Sequence, residues 1–201
     1  MKLPFFKNTL YPILSGSEIG IPLNIISKVV SDANYLTPII SKESILLNIL
    51  LGFSTYKQDR YLDSIEYTYS NIDNTNIQKR DYYLSLMNNE KIIQFTLFCS
   101  YISICIFSIY YNAGIIIPLF TTTFLYKDLK KNNNISYIKP FYVAFMWTFC
   151  TCIIPLLIQN IECKHLSMEY LIPPFLNLFA LTNFADLKDY DEDIINNVNT
   201  L

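Results

Sequence analysis

Between Ile92 and Tyr111 the chain carries no charged residue. A helix needs about 20 predominantly apolar residues to cross the hydrocarbon core of a bilayer, with a range of about 17 to 25. A surface helix of a water-soluble protein sets a charged or polar face against its apolar stripe. This segment has no charged face to turn outward. Charge is scarce in the chain as a whole, 16% against 52% hydrophobic residues, where a soluble domain carries about a quarter. It is also uneven, because Tyr56 to Lys91 is dense in Lys, Arg, Asp and Glu. The pattern predicts an integral membrane protein.

Three further stretches approach the same length. Pro140 to Gln159 begins with a proline at the helix start, where the missing N–H does no harm. Met168 to Ala185 contains Pro173 and Pro174, which are expected to kink its first turns. Gly114 to Tyr126 is shorter. Ser44 to Tyr56 is apolar and short too, and it is expected to continue as a helix beyond the bilayer. Upstream, Ile19 to Ile40 is broken by Pro22, Lys28, Asp32 and Pro38 and reads as an interfacial helix or a poor span. Asn71 to Asn76 and Asn132 to Asn134 read as turns, and Gln78 to Lys91 as an exposed helix leading into the next span. The expected fold is all-α, a multi-pass bundle of about five or six apolar helices. Residues 1–43 form an N-terminal, interfacial segment and residues 44–201 the membrane domain.

Counting crossings fixes the sidedness. If Ser44 to Tyr56 emerges on one face, that face carries Lys57, Arg60, Lys79, Arg80 and Lys91. After two crossings joined at an uncharged turn, the chain returns there with Lys127, Lys130, Lys131 and Lys139. The opposite face carries Lys164. The positive-inside rule makes the basic face cytoplasmic, or the stromal or matrix equivalent in an organelle. Asp186 ends the last crossing on this same face.

Other classes fall away. A net charge of −2 gives no uncompensated basic surface for nucleic acid. Cys99, Cys105, Cys150 and Cys152 lie in apolar segments, where Cys behaves as a small hydrophobe. The Cys150/Cys152 and Cys163/His165 spacings lack the CxxC pattern of structural zinc sites.

What remains is acidic. Asp186, Asp189 and Asp193 share one helix face, within an arc of roughly 60°. Asp59, Asp63 and Glu66 do the same at the end of the first apolar segment. Three carboxylates on one face repel one another unless a cation lies between them, and Mg²⁺ is commonly shared between one or two carboxylates and substrate phosphates. Either cluster alone reads as a solvated helix cap. Two on one face, surrounded by Lys and Arg, make the diphosphate reading stronger.

These residues resemble the UbiA superfamily of intramembrane prenyltransferases, in which the motifs NDxxDxxxD and DxxDxxxD face each other across a helical bundle and hold Mg²⁺ on an isoprenyl diphosphate. The second motif, opened by Asn183, matches in full at Asp186, Asp189 and Asp193. The stretch from Tyr142 to Trp147, leading to Pro155, and the segment Asn197 to Leu201 also look like the family. The first motif, within residues 59–67, departs from it. Aligning Asp63 with the middle Asp puts Asp59 at the Asn, Arg60 at an Asp and Tyr67 at the last Asp. Tyr56 to Arg60 resembles a Tyr-x-x-Asp-Arg pattern found in some members.

The resemblance implies a Mg²⁺-dependent transfer of an isoprenyl group from its diphosphate to a lipophilic, aromatic acceptor. The metal ligands would be Asp59, Asp63, Glu66, Asp186, Asp189 and Asp193, with Asp186 and Asp189 catalytic. Lys57, Arg60, Lys127, Lys139 and Asn183 would hold the diphosphate. The family usually has more helices after its second motif, so a separate C-terminal half is an expected partner beside membrane lipid. The alternative is a non-catalytic membrane scaffold or lipid-binding protein with the same fold. A transporter fits least, because the spans themselves carry almost no ionisable groups.

Overall fold

A computed structural model describes residues 11–33, 41–69, 77–126, 138–160 and 168–188. Among these residues the structure is helical throughout, with no strand. The helices are α1 (Tyr11–Leu14), α2 (Gly20–Ala33), α3 (Lys42–Tyr69), α4 (Ile77–Asn88), α5 (Glu90–Tyr110), α6 (Ile116–Thr121), α7 (Lys139–Ile158) and α8 (Met168–Lys188). Two are long and apolar enough to cross a membrane, α5 and α7.

Local chemistry explains the ends. The Ser41 hydroxyl accepts the Ser44 N–H at 3.1 Å and caps the start of α3, with Glu43 adding a negative charge to the first turn. At the end of α5, Asn112 takes a left-handed conformation (φ 54°). The Ala113 N–H then reaches back to the Ser108 carbonyl at 2.8 Å, and the Asn112 N–H to Ile109 at 3.1 Å, which closes the helix. Asn160 (φ 55°) ends α7. Within α7 the stretch Phe149–Ile153 widens to a π-helix immediately before Pro155. The proline ring supplies no N–H and crowds the Thr151 carbonyl, so the ladder is displaced there. α8 runs through Pro173 and Pro174 as one helix.

The first apolar segment does continue, as expected, into a single helix of 28 residues. At 1.5 Å per residue that is about 42 Å, longer than a hydrocarbon core of about 30 Å. Gly114 to Tyr126 forms α6 and a 3₁₀ turn over Thr122–Leu125. Asn71 to Asn76 and Asn132 to Asn134 lie outside the described residues.

Contacts divide the chain into two units, 1–21 with 49–106, and 22–48 with 107–201. In the first unit α3, α4 and α5 share a core of Tyr83, Leu86, Ile93 and Leu97, with Tyr61, Tyr82 and Tyr101 against it. Here Gly20 packs on α3 so closely that an added Cβ would stand 2.5 Å from the Ile49 Cα, and one on Gly52 would stand 3.0 Å from the Gly20 N. In the second unit the Asn48 amide donates to Asn24 at 3.1 Å, and α8 packs along α7, bringing Phe141 and Phe179 to 4.5 Å. Within the first unit Gly16 meets Tyr56 and Gly20 meets Gly52, one turn further along each segment, so the two run antiparallel there.

α5 buries Ile93, Leu97 and Ile104 but leaves much of its apolar surface uncovered. Phe95, Phe98, Ile106, Ile109 and Tyr110 of α5 are exposed, while Ser100 and Ser108 are buried. Only 28% of the most apolar window of α5 is buried, whereas a soluble core helix is mostly covered. Ser44, Asn48, Ser54, Thr148 and Thr151 are buried as well. The hydroxyls are satisfied within their own helices, Ser100 on the Leu97 carbonyl at 2.7 Å and Thr148 on Ala144 at 2.7 Å.

Candidate functional site

The last apolar turns of α3 lead into Tyr56, Lys57, Gln58, Asp59 and Arg60, so the helix that carries the first acidic cluster also sets its cations one turn apart. Lys57 is wholly buried. Its Nζ donates to the Ser15 Oγ at 2.6 Å and lies 5.7 Å from the centre of the Phe53 ring. Ser15 in turn bonds the Tyr82 hydroxyl at 2.8 Å. The Arg60 guanidinium lies 5.1 Å from the Tyr56 ring centre and 3.9 Å from an Asp63 carboxylate oxygen. Burial disfavours its charge, but the Tyr56 and Tyr83 oxygens and the Asp59 carboxylate outweigh that and hold it above its ordinary range. Around this core the Tyr61 hydroxyl donates to Glu90 at 2.8 Å, and Tyr101 donates to Gln58 at 2.8 Å. A chain of contacts therefore links Lys57, Ser15 and Tyr82; burial raises the Tyr82 phenol above its ordinary range, with the Ser15 hydrogen bond and the Arg60 charge pulling the other way.

Burial pushes the Lys57 ammonium down to about 8, with the Glu18 carboxylate pulling the other way. In the unfolded chain it titrates near about 10.4. Between these values the unfolded chain binds more protons than the folded one, so stability rises with pH across that window. Below about 8 both forms are charged, and the cost of burying the charge is present in full. Thermal unfolding midpoints in detergent are expected to climb between about pH 8 and about pH 10. The climb should vanish in Lys57→Met; the same slope in that variant would show that another group causes it.

The structure thus sets Lys57, Asp59, Arg60 and Asp63 on α3 and brings Arg60 to Asp59 and Asp63, while Lys57 turns to Ser15. Glu66 follows on the same helix. In the other unit Asn183 and Asp186 lie in the last turns of α8, where the Asn183 amide donates to its own Phe179 carbonyl at 2.7 Å. Lys139 is buried at the start of α7, the helix that packs on α8. Lys127, Asp189 and Asp193 lie outside the described residues. Among the described residues no three His, Cys, Asp or Glu side chains converge as a metal site. The donors present on α3, two carboxylates one turn apart, are the hard oxygen ligands Mg²⁺ takes, with Asp63 shared by Arg60.

Sequence reasoning missed Ser15 and Tyr82, which reach Lys57 from distant segments. Gly16, Gly20 and Gly52 mark where two segments approach closely, but no local pattern in the sequence places Ser15 on Lys57. No protein-family model matches this chain, and none of the curated proteins or solved structures matches it.

Proposed function

We propose that this chain is a multi-pass membrane protein with a UbiA-like diphosphate site, and that it transfers an isoprenyl group to a lipophilic acceptor. The observation that supports this best is the full DxxDxxxD pattern at Asp186, Asp189 and Asp193, placed by the count of crossings on the same face as Asp59 and Asp63. The exposed apolar face of α5 supports the membrane part of the reading. In this topology α2 lies beside α3 at bilayer depth, because Gly20 meets Gly52. The N-terminal segment then reaches the basic face, where Ser15 meets Lys57.

Mg²⁺ held by Asp59, Asp63, Asp186 and Asp189 would supply neutralising charge to the diphosphate. The chain's own cations, Lys57, Arg60, Lys127 and Lys139, take up the charge that develops as the allylic C–O bond breaks. The diphosphate leaves with the bonding pair, the acceptor carbon bonds to the allylic carbon, and the acceptor loses a proton. The exposed apolar faces exclude water by lying in lipid. Complete burial of Lys57 favours the alternative, a non-catalytic scaffold of the same fold.

Binding of a non-hydrolysable isoprenyl diphosphate to detergent-purified protein separates the two. The enzyme reading expects saturable binding that needs Mg²⁺. A folded sample that binds nothing at any Mg²⁺ concentration leaves the scaffold.

A further inference from the structure

An ammonium with no exposed surface cannot touch a ligand, yet the proposed function gives Lys57 a diphosphate to hold. Two neighbours touch it. Phe53 belongs to the same helix and moves with it. Ser15 of the N-terminal segment bonds the ammonium directly.

That segment is fastened unevenly. At Gly20 the contact with α3 is backbone on backbone, with an added Cβ 2.5 Å from the Ile49 Cα, and it has no room to shift. N-terminal to Gly20 the fastenings run mostly through side chains. Ser15 bonds the Tyr82 hydroxyl, the Tyr11 ring lies edge-on to Tyr82 at 6.2 Å, and Gly16 rests against the Tyr56 ring. Gly16 has φ 103°, a conformation side chains rarely adopt. The Gly16 N–H is held by the Glu18 carboxylate at 2.7 Å. A segment fastened largely through side chains thus leads, by way of Gly16 and the Ser17–Ile19 turn, into a helix fastened through its backbone.

We propose that Tyr11–Gly16 is a gate over Lys57. In the closed form the Ser15 hydroxyl occupies the position on Nζ that an oxygen of a phosphate-type oxyanion would take. Such a ligand reaches Lys57 only after this segment lifts away from Tyr82. The identity of the ligand rests on the proposed function; the closure itself does not.

The gate is tested by labelling the full-length protein in detergent with an amine-reactive acetylating reagent, reading Lys57 against the exposed Lys28 by mass spectrometry. Lys57 is expected to label far more slowly than Lys28 in the native chain. Ser15→Ala removes the partner of the ammonium, and Gly16→Ala strains the backbone there and meets Tyr56 at 3.0 Å. Both are expected to speed Lys57 labelling by about tenfold, as local opening becomes cheaper. Both should also tighten binding of inorganic pyrophosphate several-fold, because the closed fraction no longer competes. If a variant fails to fold, Tyr82→Phe loosens the same segment and is expected to give the same rise. Unchanged labelling in folded variants, or weaker pyrophosphate binding, overturns the gate. Faster labelling with no pyrophosphate binding in any form keeps the gate and removes the diphosphate reading.

Discussion

Gly20→Val is expected to destabilise the protein by about 3 kcal/mol or more, or to prevent it from folding. The reason is geometric. A Cβ at Gly20 would stand 2.5 Å from the Ile49 Cα, 2.7 Å from its Cγ1 and 3.0 Å from its N, and backbone atoms cannot step aside as a side-chain tip can. The contact between Gly20 and α3 would have to open, and with it the approach that brings Ser15 to Lys57. Gly114 is the matched control, since a Cβ there meets nothing within 4 Å. Thermal unfolding in detergent should therefore show a large loss for Gly20→Val and little change for Gly114→Ala. Equal midpoints for the two variants would mean that the close approach contributes nothing to stability.

Asp186→Asn and Asp189→Asn are each expected to weaken Mg²⁺-dependent binding of an isoprenyl diphosphate by about 100-fold or more. Changing the outer partners of a metal site already costs about 10- to 100-fold in affinity. The substitution keeps the size of the side chain and removes the negative charge that a hard cation requires. Asp186 lies in the last turns of α8, far from the helix start. Asp63→Asn should weaken binding less, because Asp63 already faces Arg60 at 3.9 Å, and the substitution frees that guanidinium for phosphate while removing a metal ligand. Full Mg²⁺-dependent binding in all three variants would place the diphosphate elsewhere.

The sequence made the long helices legible and the site only in part. α5 and α7 could be read because an unbroken apolar run of membrane length has few other structures open to it, whereas α8, with Glu169, Pro173, Pro174 and Asn177, is a long helix of weaker apolar character. The continuation of α3 past Tyr56 was also readable, since Lys57 to Tyr69 contains no proline or glycine to stop a helix. α2 was harder. Pro22, Lys28 and Asp32 interrupt its apolar pattern, and Lys28 pairs with Asp32 at 3.0 Å on the same exposed side as Ile21, Ile25 and Val29, while Leu23 and Ser27 are buried. Lys57 was misleading in isolation, because a lysine after an apolar run reads as an exposed flank. Its burial depends on Ser15, which is far away in sequence, and no local pattern encodes that meeting. The acidic cluster of α3 was visible from spacing alone, but the spacing gave no hint that Arg60 would share Asp63.

The central claim is that four crossings bring both acidic clusters to one face of a membrane. It is tested by placing single cysteines at Asp63→Cys and at Asp186→Cys, in a chain whose native cysteines are serine, and labelling each in sealed vesicles with a membrane-impermeant maleimide. The account predicts that both positions react from the same side, the one that also carries Lys57 to Lys91. Labelling of the two from opposite sides would contradict it, because an odd number of crossings would then separate the clusters and no shared diphosphate site could form.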